Sequence, residues 1–179
     1  MSKLYNAYIS SYKKDKPSWG EYLDIAGDLY NSPQLQQLAG YEQHFKINRL
    51  QHITSVAYLS FLVSRKLGLD YVSTARAATM HDLFYYDWRE DDLSHKLHGY
   101  RHPKTALKNA YYLCGTLNEK EADIIGKHMW PLTVKPPRFA ESYVVTAMDK
   151  YCATIELIYS ASENYRVKFH ALTGIGGEK

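Results

Sequence analysis

Apolar positions recur at three- and four-residue spacing through most of the chain, and no stretch sustains the two-residue alternation of a half-buried strand. The pattern predicts helices. Short ones are expected over 21–30 and 33–39, the second opened by Pro33 and closed by Gly40. A long helix follows from about Asn48 to Leu67, with Gly68 as its stop. Asp70 is placed to cap a helix running from Tyr71 to about Phe84. The polar stretch YDWREDDLSHKLHGYR reads as loop, and Pro103 suits the first position of a helix reaching Leu113 before Gly115. Asn118 and Glu121 form a capping-box-like start for a helix ending near Met129. Pro131, Pro136 and Pro137 interrupt WPLTVKPP, and helix returns from about Phe139 to Tyr165. The closing GIGGEK reads as loose chain. The expected fold is an all-α, single-domain helical bundle. Residues 1–47 would be a helical extension packed on the core, 48–165 the main domain and 166–179 a flexible tail.

Certain polar residues fall on the inner faces of these helices. His52 shares a stripe with Val56, Leu59 and Val63. Asp149 shares one with Val145, Cys152, Ala153 and Glu156. His81 and Asp82 are adjacent in ATMHDLFYYD, about 100° apart if helical. His102 immediately precedes Pro103, and His128 follows Ile124 and Ile125. A single inward imidazole needs only a backbone carbonyl as partner. Six inward histidine and aspartate groups, left unpaired, would cost many kcal/mol together. A metal centre binding all of them removes that penalty. His98 is the rival of His102 for one ligand position. His44, His95 and His170, like His98, otherwise read as surface or loop residues.

The order His52, His81-Asp82, His102, His128, Asp149 resembles the HD superfamily of metal-dependent phosphohydrolases. The resemblance spans about residues 48–150 and is carried by NRLQHITSVA, ATMHDLFYYD, YRHPKTALKNA, IIGKHMWP and VVTAMDK. It implies a bundle of the HD-domain type. His52, His81, Asp82 and Asp149 would form a first metal site, with Asp82 bridging to a second ion held by His102 and His128. One or two divalent transition-metal ions are implied, and imidazole with carboxylate suits Fe, Mn, Ni, Co or Zn better than calcium. The implied reaction is cleavage of a phosphoester of a nucleotide or other small phosphorylated metabolite by metal-activated hydroxide. Asp82 would be catalytic as ligand and as a proton relay. Two other activities share the ligand set: a mixed-valent di-iron oxygenase of the same fold, and a non-catalytic nucleotide-binding sensor.

A phosphorylated substrate calls for further cations. Lys104, Lys127, Arg138 and Lys150 are the candidates, with Lys135 beside them; each also makes sense as a solvated surface charge. Lys104 leads because the first turn of a helix beginning at Pro103 would add free amides. Trp130 could cover a base or sugar or pack in the core, and Tyr85, Tyr86 and Trp88 could line the mouth. Arg49 has three open roles: orienting a carboxylate, touching phosphate, or a structural ion pair.

Composition adds limits. A net charge of +3 gives no argument for nucleic acid or anionic lipid as the main partner. No apolar run has the length of a membrane span. The start, MSKLYNAYISSYKKDKPSWG, lacks the form of a signal peptide, so a cytoplasmic location is expected. Cys114 and Cys152 read as small buried hydrophobes in a reducing compartment. The 17 tyrosines suggest amphipathic packing, with rings buried and hydroxyls wet. Residues 1–47 are open to two roles, a cap over the site or a contact between two copies in a homodimer.

Overall fold

A computed structural model of the chain describes residues 3–44, 47–89, 97–160 and 163–173. The elements in order are α1 (Lys3–Ser10), α2 (Pro17–Tyr30), α3 (Pro33–Gln36), a 3-10 turn (Gln37–Gly40), β1 (Glu42–His44), β2 (Ile47–Asn48), α4 (Arg49–Lys66), α5 (Tyr71–Met80), α6 (His98–Cys114), α7 (Glu119–Lys127), α8 (Ala140–Ser160) and α9 (Glu163–Thr173). The fold is all-α, with β1 and β2 forming a small antiparallel ribbon that the apolar periodicity does not announce.

The capping residues set the helix starts. The Asn48 side chain accepts from the Gln51 backbone N–H, and the Gln51 side chain accepts in return from the Asn48 N–H. Asn118 and Glu121 repeat the arrangement at α7. Gly68, at φ +68°, provides the left-handed residue that ends α4. Helix α4 is the central element, packed between α5 and α8, with α2 lying across α4 and α5. Ile53, Val56, Phe61, Ala77 and Met80 are fully buried there, joined by Trp19 and Tyr22 from α2. Each such large apolar side chain stabilises the fold by about 1.5–3 kcal/mol.

Three tyrosine hydroxyls in this core are paired rather than wet. Tyr22 bonds the Thr79 hydroxyl at 2.8 Å, Tyr58 bonds Ser18 at 2.6 Å, and Tyr8 donates to Glu156 at 3.0 Å. A buried hydroxyl must find a partner, and small hydroxyl side chains supply most of them. Both cysteines are free, Cys152 buried and Cys114 half-buried.

Helix α2 starts at Pro17 rather than 21 and α8 ends at Ser160 rather than near Tyr165; three further departures have a visible cause. Helix α5 ends at Met80, so His81 is its C-cap and Asp82 stands in the exit turn instead of on a helix reaching Phe84. Helix α6 begins at His98 rather than Pro103, which lies inside it. Pro103 lacks only the N–H that would have bonded the Gly99 carbonyl, one bond lost from the second turn. The earlier start is held by tertiary contact: a Cβ on Gly99 would lie 2.6 Å from Leu132 Cδ2, so the glycine permits the 129–139 loop to approach. Third, the segment from 166 is helical through Thr173 in α9, where the expectation was a flexible tail. Buried Phe169 explains it, stacked on Tyr8 and edge-on to Tyr12. The expected loose GIGGEK, residues 174–179, lies outside the described residues, as does His95.

Candidate metal centre

The C-terminal ends of α5 and α7 converge beside the middle of α8, and the residue capping each is a histidine, His81 on α5 and His128 on α7. Helix C-termini carry partial negative charge, about half an elementary charge each, and favour a cation. Helix α4 adds His52, α6 adds His102, α8 adds Asp149, and Asp82 follows His81. All six side chains are buried.

Every one of the four imidazoles is held from outside through Nδ1. The Ala78 carbonyl accepts from His81 (2.8 Å), the Ile125 carbonyl from His128 (2.8 Å) and the His98 carbonyl from His102 (3.1 Å). The Glu156 carboxylate accepts from His52 (2.9 Å). These oxygens only accept, so Nδ1 carries a proton, and a ring held this way turns a bare Nε2 lone pair inward in its neutral form. A second hydrogen-bonding partner on the far nitrogen is what a metal-ligating histidine characteristically has.

The inward atoms form two trios, His52–His81–Asp149 and Asp82–His102–His128, whose donor atoms all lie within 4.8 Å of one another. In the second, His102 Nε2 and His128 Nε2 are 2.8 Å apart, and Asp82 Oδ1 is 3.2 and 3.4 Å from them. Ligands about 2.1 Å from a shared tetrahedral ion lie roughly 3.4 Å from one another. In the first, His52 Nε2 is 3.1 Å from Asp149 Oδ1, and His81 Nε2 is 3.8 Å from both Asp149 Oδ1 and Asp82 Oδ2. Asp82 therefore stands between the trios, one oxygen toward each.

Protons do part of a cation's work. Burial opposes charge on His52, but Glu156 and Asp149 outweigh it and hold its pKa well above the ordinary imidazole value. Burial likewise opposes charge on His128, and Asp82 raises its pKa overall. His81 has no such surplus, and burial drives it down to about 4. Burial alone would raise both aspartates, yet the imidazoles hold Asp149 at about 2 and Asp82 well below the carboxylate range. Two atoms remain unserved: His81 Nε2 and Asp82 Oδ1 are buried without a hydrogen bond. Orphaned acceptors of this kind normally cost 1–3 kcal/mol each. The donor set of imidazole nitrogen and carboxylate oxygen, without thiolate, fits borderline divalent transition metals.

The two trios open onto a cleft of about 230 Å³ lined by Gln43, Asp82, Trp88, His98, His102, Met129, Asp149, Lys150 and Ala153. Of the expected substrate contacts only Lys150 is there; its Nζ donates to the His128 carbonyl at 3.1 Å, and burial lowers its pKa. Lys104, Lys127, Lys135 and Arg138 instead line a separate groove of about 750 Å³ between α6, α7 and the following loop. Helical geometry explains the split. Two residues turn a side chain by about 200° and one by about 100°, so Lys104 and Lys127 point away from neighbouring His102 and His128. Lys127 pairs with Asp123 at 2.6 Å and Arg138 with Glu119 at 3.3 Å. Because α6 starts at His98, Lys104 also lies beyond the first turn and has no free amides beside it. Trp130 is not among the residues lining the cleft and packs edge-on to Tyr143.

Other residues emerge only from the fold. His98 is not in a trio; it stacks on His102 (4.4 Å) and Trp88 (5.6 Å) and completes the wall. Arg49 is fully buried and touches no ligand. Its Nε donates to Gln43 Oε1, and its other nitrogens donate to the Phe84 and Tyr86 carbonyls. Gln43 Nε2 donates to Asp82 Oδ2 at 3.0 Å. Arg49 thus reaches the Asp82 carboxylate only through Gln43. Glu156 was visible in sequence only as another member of the Asp149 stripe.

No family model matches this chain, and no curated protein or solved structure matches it either. Among the described residues no helix is long and apolar enough to cross a membrane.

Proposed function

We propose that this protein is a metal-dependent phosphohydrolase of the HD type, acting on a nucleotide or another small phosphorylated metabolite. The observation that carries the reading is the convergence of four outward-anchored imidazoles and two buried carboxylates into adjacent trios, in which His81 Nε2 and Asp82 Oδ1 are left without a hydrogen bond. His52, His81 and Asp149 would hold one ion and Asp82, His102 and His128 another, with Asp82 placed to touch both. A divalent ion held by these residues would supply a bound water of lowered pKa and positive charge to offset a phosphate. Lys150 lies at the cleft with two ammonium protons beyond the one given to the His128 carbonyl, enough to bind phosphate oxygens. Trp88, Met129 and Ala153 form an apolar wall for the esterified group. The free cysteines suit a reducing compartment such as the cytoplasm.

The test is metal analysis of the purified protein, followed by phosphate release from a panel of nucleotides and phosphomonoesters with manganese, iron, nickel, cobalt or zinc. One or two bound ions and release from at least one substrate are expected. A protein that takes up no metal refutes the reading. Oxygen uptake by the iron-loaded protein without phosphate release would replace it with the oxygenase. Nucleotide binding without turnover under any metal would replace it with the sensor.

A further inference from the structure

We propose that the segment ahead of α4 is a working part of the metal centre, with Gln43 positioning the ligand Asp82 and Tyr8 positioning the ligand His52. The proposal rests on reading the trios as metal sites. Both residues lie outside the 48–150 span that carries the family resemblance, so they are features of this chain's own extension.

Gln43 is held in one orientation. Arg49 can only donate, so the Gln43 carbonyl must face it (2.9 Å) and the amide N–H must face Asp82 Oδ2 (3.0 Å). Arg49 is fixed in turn by the Phe84 and Tyr86 carbonyls, at 2.8 and 3.2 Å, and by the Phe84 ring 3.6 Å beneath its guanidinium. The terminal torsion of an aspartate is broad. The Gln43 bond narrows it, committing Oδ1 to His102 and His128 and leaving Oδ2 one further lone pair on the His81 side. Gln43 also lines the cleft, so the extension forms part of its wall.

At the other trio, buried Tyr8 of α1 donates to Glu156 Oε1 (3.0 Å), while Glu156 Oε2 accepts from His52 Nδ1 (2.9 Å). The tyrosine fixes the carboxylate that fixes the imidazole. Two separate hydrogen-bond chains thus run from the extension, one to each trio.

The experiment is a cobalt(II) titration of the full chain, following visible d–d absorption and resolving the two stepwise affinities. Gln43→Met removes the donated proton at nearly constant volume and is expected to weaken one step about tenfold, as loss of an outer partner of a ligand does, and the other step less, because Asp82 faces both trios. Tyr8→Phe removes a single hydroxyl one bond further out and is expected to weaken the other step about threefold. Tyr8→Phe keeps its ring in the core, so its arm stands even if Gln43→Met folds poorly. A general loss of packing would weaken both steps alike. The positioning role is overturned if both variants weaken the same step most, if either weakens both steps equally, or if neither moves any. A wild-type chain that binds no cobalt overturns the metal reading itself, and this inference with it.

Discussion

Two polar clusters join the same three helices, and they are built on opposite principles. At the N-terminal ends of α5, α7 and α8, Lys120 donates to Glu141 (2.9 Å) and Asp70 (3.4 Å), and Asp70 accepts from the backbone N–H and hydroxyl of Ser73. Asn118 donates to Ser73, and the Asp70 N–H donates to Glu141. Donors and acceptors balance. At the C-terminal ends of α5 and α7, beside the middle of α8, the inward-facing atoms are acceptors in excess, and two of them have no hydrogen bond. Burial of charge by itself does not make a cluster able to hold a metal; converging acceptors left without hydrogen bonds do.

Under the proposed function, Asp82→Ala, which removes the carboxylate between the trios, is expected to weaken metal binding by more than about a hundredfold and to abolish phosphate release with it. Lys120→Met should leave metal content at the wild-type level. Elemental analysis of both purified variants checks this, and full metal content in Asp82→Ala would dissolve the distinction.

Chelation should separate the clusters next. A protein whose free metal stands at about 100 times its dissociation constant gains roughly 2.7 kcal/mol from binding. For a chain of this size, removing that contribution lowers the melting temperature by roughly 5–10 °C. Lys120→Met should show the same chelator-induced drop, whereas Asp82→Ala should show little of it. Glu156→Gln tests the outer layer alone: it keeps the size of the side chain and weakens its hold on His52, with an expected loss of about ten- to a hundredfold at one of two titration steps. Equal losses at both steps would mean that Glu156 serves packing rather than His52.

Most of this centre is legible in the chain because local rules govern it. His52 and Asp149 sit on helical stripes, and Asn48, Asp70 and Asn118 cap the helices where the pattern places them. What escapes depends on contacts between distant segments. Gln43 stands on a three-residue strand that carries no periodic signal, and its role exists only because Arg49 and Asp82 meet there. The start of α6 opposes local preference, since Leu97 caps it at φ +61°, a conformation costly for a branched side chain. Lys104 was placed by the proline rule, and the rule failed because packing at Gly99 extends the helix upstream of Pro103. The paired tyrosine hydroxyls escape for a similar reason, each partner lying 40 or more residues away.

The smallest expected effect concerns the balanced cluster and acid. Burial raises the Asp70 and Glu141 carboxyls, but Ser73 at the first and Lys120 at both more than offset it, so both are held below the ordinary carboxylate range. Folded carboxylates with lowered pKa bind fewer protons than the unfolded chain. Their contribution is therefore complete above the unfolded value near 4 and is lost as pH falls through the lowered folded values. Lys120 is a third exposed on its side chain, so its removal should cost only about 1 kcal/mol at pH 7. Urea unfolding of chelated wild type and Lys120→Met at pH 7 and pH 3 reads the difference. The gap between the two proteins should narrow at pH 3, because pH 3 lies below the unfolded carboxyl value and a carboxyl that takes up a proton no longer distinguishes an ammonium from a thioether. A gap that stays constant with pH would make Lys120 a packing residue, and the cluster could no longer be described as a balance of charges.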